Sequence, residues 1–175
     1  FKKEGKIRFV GASINDDPES ALGLVSSGLV DQVQVLFNLF NQKAADKLLP
    51  LCLKHKVAVV VRCPFDEGGL TGQLKPDTRF EPEDFRGHYF GGERLSETCR
   101  RVAALEKVAL GPKASQLAEA ALKYCLSFEA VSTVIPGMRR ASHVLANAQA
   151  ADGNYYNSKE LSAIAAHRWV RDFYL

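Results

Sequence analysis

The chain has 175 residues, 46% of them apolar and 25% charged, with a formal net charge of +3. That length and composition suit one domain, residues 1–175, with a real hydrophobic core, in the range of ordinary soluble globular proteins. Acidic and basic residues are interleaved and no apolar run approaches the roughly 18 residues of a membrane span, so neither nucleic acid nor a bilayer is an expected partner. Cys52, Cys63, Cys99 and Cys125 form no CxxC pair and no metal-ligand spacing with histidine, which predicts reduced thiols and a cytoplasmic setting. The opening FKKEGKIRF has no apolar signal core and no initiating Met. It reads as a cut inside something longer or as a processed product.

In chain order, residues 6–12 (KIRFVGA) form the first strand candidate. Asp16-Asp17-Pro18-Glu19 predicts a helix start, with a capping carboxylate, an early proline and an acid beside the positive end of the dipole. That helix ends near Gly28. Residues 31–36 (DQVQVL) form a second strand, and 43–55 a helix with an apolar stripe at Ala45, Leu48, Leu49, Cys52 and Leu53. Residues 57–61 are short and wholly apolar, as expected of a strand buried on both faces. A long irregular stretch rich in Gly, Pro and Asp runs from Cys63 to about Gly92, and such connections are usually functional. Its part from 73 to 92 reads as a lid or a partner-binding loop. Helices are expected over 93–109 and 114–127, a strand over 131–135, then helices over 141–151 and 158–170, the last capped by Ser158. The pattern is βα four times over, with an additional helix and a C-terminal tail. It predicts a parallel sheet covered by helices.

In such folds ligands sit at the carboxyl ends of the strands. Ser13 and Asn15 follow the first strand, where they either bind an amide or satisfy the turn before the helix. Gln34 is polar inside a strand and needs a partner, either a neighbouring strand's side chain or a cofactor amide. Arg62 ends the third strand. It either pairs with Asp66 or Glu67, or contacts phosphate, or stacks on a heteroaromatic ring. The DEGGLTG that follows offers backbone N–H groups of the kind that wrap phosphate. After the fourth strand Gly137 allows close approach, Arg139 or Arg140 supplies a guanidinium, and the helix beginning at Ala141 favours the same anion. His143 and Asn147 lie on one face of that helix. Jointly these look like a wall for an adenosine phosphate. Trp169 and Phe173 either line a substrate mouth or pack in the core.

These segments resemble the aldo-keto reductases, in the second half of their (β/α)8 barrel, and the resemblance covers essentially the whole chain. GKIRFVGAS resembles the family's fifth strand with its Gly-x-Ser ending, and VQVLFNLFN the sixth, with glutamine, two residues, an aromatic and Asn. VVVRCPFDEGGLTG resembles the seventh strand and pyrophosphate loop, and VSTVIPGMRR with the following His and Asn resembles the eighth strand and the helix beyond it. The fold so implied is α/β, the parallel-stranded half of a TIM (β/α)8 barrel, and the cofactor so implied is NADP(H). Ser13 and Gln34 match positions that hold the nicotinamide carboxamide, and Arg62 stands where a stacking tyrosine is usual. Cys63, Phe65, Gly68, Leu70 and Gly72 match the pyrophosphate loop. Gly137, Met138, Arg139, His143 and Asn147 match the adenosine-phosphate site, with Arg139 the 2′-phosphate ligand. Ile14 intervenes before Asn15 where the family's asparagine follows the serine directly, and Phe37 stands where tyrosine is common.

The Asp, Tyr, Lys and His that carry proton transfer in this family come from the first half of the barrel, and none of their motifs matches here. Hydride transfer to a carbonyl needs an acid for the forming alkoxide, typically worth about 10²–10⁴-fold. The resemblance therefore implies a cofactor grip without its acid, in one of two settings unless the chain is a degraded or truncated product with no role of its own. Either a missing N-terminal half completes a reductase of small aldehydes or ketones, or a second copy of the chain closes a non-catalytic barrel as a homodimer. In both, Ser13, Gln34, Arg62 and Arg139 are expected to line one dinucleotide-sized groove.

Overall fold

The structure, a computed structural model, describes residues 1–14, 17–171 and 173. Four strands, β1 (Gly11–Ser13), β2 (Gln32–Leu36), β3 (Ala58–Arg62) and β4 (Val131–Val134), pair in parallel in the order β1-β2-β3-β4. Helices α1 (Leu22–Ser26), α2 (Leu48–His55), α4 (Arg94–Ala109) and α5 (Leu117–Leu126) make the crossovers, with a one-turn α3 (Arg86–Tyr89) inside the long connection. Beyond β4 come α6 (Ala141–Gln149) and α7 (Ser158–Ala165). The expected parallel α/β alternation is present.

Register decides which side chains meet. Ser13 pairs with Gln34 and Gln34 with Val60, while Val33 pairs with Val59 and Val35 with Val61. Successive strand residues face opposite sides, so the two rows occupy opposite faces. The valine row is fully buried beneath Val25, Leu48, Cys52, Leu105 and Tyr124 of the helices. Each such valine contributes about 1.5–3 kcal/mol by burial. The other row, with Ser13, Gln34, Val60 and Thr133, is half-buried or exposed. The expectation of a β3 buried on both faces is thus corrected: among the described residues only one face is covered. For the same reason Gln34 is not enclosed in an apolar interior.

Several boundaries differ from expectation, each for a local reason. The first strand begins at Gly11 rather than Lys6, because the Val10 N–H is taken by the Asp31 carboxylate at 2.7 Å and not by a ladder partner. The helix expected over 43–55 is split into a 3-10 turn, Lys43–Ala45, and α2. Pro50 has no N–H to offer Asp46 and its ring would clash with that carbonyl, so α2 begins only at Leu48, with Pro50 in its first turn where no intrahelical donor is needed. The segment opening at Pro18 is a 3-10 turn, Pro18–Ala21, leading into α1, with Asp17 accepting from the Glu19 N–H; Asp16 lies outside the described residues. The last helix stops at Ala165 rather than 170. Its cap is Asn157, whose side chain accepts from Lys159 and Glu160 while Glu160 reaches back to the Asn157 N–H, so Ser158 is the first helical residue. Past it, the Trp169 N–H donates to the Phe40 carbonyl at 3.0 Å. That tertiary bond takes the chain out of the helix.

Buried polar groups fasten the helical layer. Tyr156 donates to the Ala109 carbonyl at 2.6 Å, and Lys123 donates to the Lys113 carbonyl at 2.6 Å while pairing with Asp152 and Glu119. Burial pushes the Cys52 thiol to about 11 and Cys125 up as well. No helix is long and apolar enough to cross a membrane among the described residues.

Replacing Tyr156 by Phe leaves the buried Ala109 carbonyl without its donor. Stability should fall by about 1–3 kcal/mol at an unchanged denaturant slope in urea unfolding. On α4, hydrogen bonds from Arg100 and then Arg101 hold Glu97 down at about 2, below its ordinary 4.5. A depressed carboxylate contributes stability that is complete above its unfolded value and is lost as pH falls through the folded one. The melting-temperature difference between the parent and Glu97→Gln should therefore be larger at pH 7 than at pH 3.

Candidate functional site

All four strands finish on one rim because all four run the same way. At its β1–β2 side, Gln34 Nε2 reaches Ser13 Oγ at 3.5 Å, a contact at the limit of a hydrogen bond, with both side chains on the uncovered face. The pair brings an amide and a hydroxyl together without saturating either. Asn15 lies outside the described residues. Phe37 turns away into the core, stacked on Tyr124 at 5.3 Å and edge-on to Phe128 at 5.0 Å.

Asn38, directly after it, is fully buried and ties two strand ends together. Its Nδ2 donates to the Cys63 carbonyl at 3.0 Å, and its Oδ1 accepts from the Phe40 and Asn41 N–H groups. The segment so anchored is unusual. Cys63, Asp66 and Glu67 all have φ near +50°, followed by Gly68 at +102°, and Gly72 is at +74°. Left-handed conformations at non-glycine residues cost on the order of 1–3 kcal/mol each and persist only where surroundings over-determine them. Arg62, in register with Leu36, places its Nη1 3.5 Å from Cys63 Sγ, and that sulfur lies 3.4 Å from a Glu67 carboxylate oxygen. Phe65 packs against the main core, and Leu70 is fully buried in it. Asp66 does not pair with Arg62 among the described contacts; its carboxylate is buried against Tyr89 and Arg171.

Past β4, the Gly137 turn stands open: a Cβ added there would meet nothing within 4 Å. Met138, Arg139 and His143 are exposed, and Asn147 Nδ2 comes back from α6 to the Gly137 carbonyl at 3.5 Å. The first cluster (62–72) and the second (137–147) are bridged by the long connection, which carries a residue pair that sequence reading missed. Arg86 grips Asp84 through Nε at 3.0 Å to both carboxylate oxygens, and its Nη1 lies 3.8 Å from where a Gly68 Cβ would stand. Hydrogen bonds from Arg86, with a smaller contribution from the charge of Arg139, hold the Asp84 carboxyl down at about 2. Residues 73–92 therefore fold back between the two clusters, a position that only tertiary structure reveals. The DFRG sequence carried no spacing signal for it.

Trp169 and Phe173 pack rather than line an opening: Trp169 meets Phe40 edge-on at 5.3 Å and Phe173 meets Tyr89 at 5.4 Å. A surface cleft lies elsewhere, among Asp17, Glu19, Lys43, Asp46, Lys47 and Arg168, and is laced by the Lys47–Glu19 and Arg168–Asp46 ion pairs. None of the predicted site residues lines it. No cluster of His, Cys, Asp or Glu suited to a metal ion occurs among the described residues.

Comparison with known proteins places this rim in context. The sequence model of the Aldo/keto reductase family matches residues 1–168. The uncharacterized oxidoreductase YqkF of Bacillus subtilis (strain 168) is 30% identical over 167 residues, covering 95% of this chain and 52% of that protein. The NADH-specific methylglyoxal reductase of Escherichia coli (strain K12) is 34% identical over 77 residues, covering 44% of this chain and 23% of that protein. Among solved structures, the apo form of the aldo-keto reductase AKR11C1 from Bacillus halodurans superposes with a TM-score of 0.71 at 26% identity, over 95% of this chain and 53% of that one. The chain spans about half the length, or less, of the relatives it matches. With a family match that runs through all four strands and their rim, the chain belongs to the aldo/keto reductase family.

Proposed function

We propose that this chain is the cofactor-binding half of an eight-stranded aldo/keto reductase barrel, holding NADP(H) along the rim for hydride transfer to a small aldehyde or ketone. The observation that carries the reading is the register: Ser13 and Gln34 share a row, and Arg62 lies two residues farther along the same face, at the same ends as the Gly137–Arg139 turn. The residues suit a nicotinamide dinucleotide. Ser13 Oγ and Gln34 Nε2 offer an acceptor and a donor for a carboxamide, the 63–72 segment offers turning backbone for a pyrophosphate, and exposed Arg139 meets a terminal phosphate beside open space at Gly137.

When bound, the reduced dinucleotide supplies the hydride. The residues of this chain bind, orient and shield. Ser13 and Gln34 fix which face of the nicotinamide ring looks into the barrel. The half-exposed row of Val60 and Thr133 makes the floor. Proton donation to the forming alkoxide falls to the complementary half. Among the described tyrosines, Tyr89 is committed to Asp66 and Tyr156 to the Ala109 carbonyl, and burial pushes the Tyr89, Tyr124 and Tyr156 phenols far up from their ordinary range. None of these three is poised to act as an acid.

A second reading draws on the uncovered strand face and the two sheet edges, β1 and β4, that carry no further strand among the described residues. Two copies meeting edge to edge would bury both and close a non-catalytic barrel. This arrangement predicts a homodimer by light scattering and no NADPH consumption with small carbonyls. A monodisperse monomer removes it.

The cofactor reading is tested by titrating the purified chain with NADPH and NADH, following nicotinamide fluorescence. NADPH should bind more tightly, and Arg139→Ala should weaken it by about ten- to a hundredfold, as loss of a charge-assisted phosphate contact implies, while NADH binding stays level. Equal affinities in the parent would overturn the 2′-phosphate role, a live alternative since one relative is named for NADH.

A further inference from the structure

We propose that Arg171 and Asp66 form a brace through which the C-terminal tail sets the conformation of the 63–72 segment, making both positioning residues for dinucleotide binding. This rests on the reading that the segment grips a pyrophosphate.

The two residues are 105 positions apart, yet one Arg171 Nη bonds an Asp66 carboxylate oxygen, and both side chains are almost wholly buried. The other Asp66 oxygen accepts from the Tyr89 hydroxyl at 3.1 Å. Above the ion pair the guanidinium lies over three rings, 4.0 Å from the Trp169 centroid, 4.6 Å from Phe173 and 5.1 Å from Phe40. An ion pair withdrawn from water must be repaid by geometry and by further partners. Here the rings and the tyrosine are those partners, although Arg171 Nε finds no acceptor among the described residues.

Place distinguishes this pair from ordinary core glue. Asp66 stands inside the left-handed run of the segment, between Phe65 and Glu67, so its carboxylate can point at Arg171 only while the backbone holds φ near +51°. Gly69 is shaped to the same end. A Cβ there would lie 2.9 Å from Asp66 Oδ2, closer than real contacts allow. The surrounding apolar side chains, Tyr89, Phe90, Leu95 and Phe173, make a satellite cluster distinct from the main core under the sheet. Losing the brace should therefore release the segment while the sheet stays intact.

The test uses the full chain with Arg171→Met, Asp66→Asn and Gly69→Ala, read by amide hydrogen exchange and by NADPH titration. Each variant should speed exchange at residues 66–72 by about tenfold or more, leave β2 and β3 unchanged and weaken NADPH about tenfold. Arg171→Met combined with Asp66→Asn should lose less than the sum of the two, since no unpaired buried charge remains. Unchanged exchange at 66–72, or equal acceleration through β2 and β3, would overturn the brace. If the parent fails to bind NADPH the cofactor reading falls, while the exchange data still decide the brace. If Arg171→Met does not fold, Asp66→Asn and Gly69→Ala decide it by the same two readouts.

Discussion

Parallel pairing in a single order obliges every strand to end on the same side, and the rest of the molecule follows from that constraint. Each return to the starting edge needs a crossover of helical length, which is why helices cover the valine face. The turns that launch those crossovers are gathered on the opposite side, where backbone leaves the ladder and polar groups lose their partners. Ser13, Asn38, Cys63 and Gly137 are neighbours in space only because their strands are aligned.

The rim is built with unequal rigidity. Its centre, where β2 and β3 end, is fastened by buried Asn38 and by the Asp66 ion pair. Its outer side, from Gly137 through α6, has no buried residue in the helix, and Asn147 ties that helix only back to the Gly137 turn. A ligand laid along it would meet a fixed middle and a less anchored outer side. That gradient suits a ligand whose reacting ring must be held to a fraction of an ångström while its far end serves as a handle.

Much of this was legible in the sequence. The β-branched runs of β2, β3 and β4 and the four strand-end motifs are local signals, and they pointed to four parallel strands alternating with helices. Local rules were also enough, in principle, for the break before α2, since Pro50 forbids the earlier start. What escaped depended on partners distant in the chain. Asp31 shortens the first strand by capturing Val10, and Phe40 stops the last helix by accepting from Trp169. Burial on both faces was expected of β3 because its valines are continuous, yet an apolar run cannot say whether both sides are covered. The Asp84–Arg86 grip and the Asp66–Arg171 pair leave no periodic trace, since nothing in a spacing announces which charge will find which.

Trp169 is the only tryptophan in the chain, and it is held between two guanidiniums, Arg101 at 4.4 Å and Arg171 at 4.0 Å from the ring centroid. All indole emission from this protein therefore originates at the place where the C-terminal tail docks. Detachment of the tail would register as a red shift before any loss of helical circular dichroism, so the molecule carries its own optical gauge for telling a loosened end from a melted core.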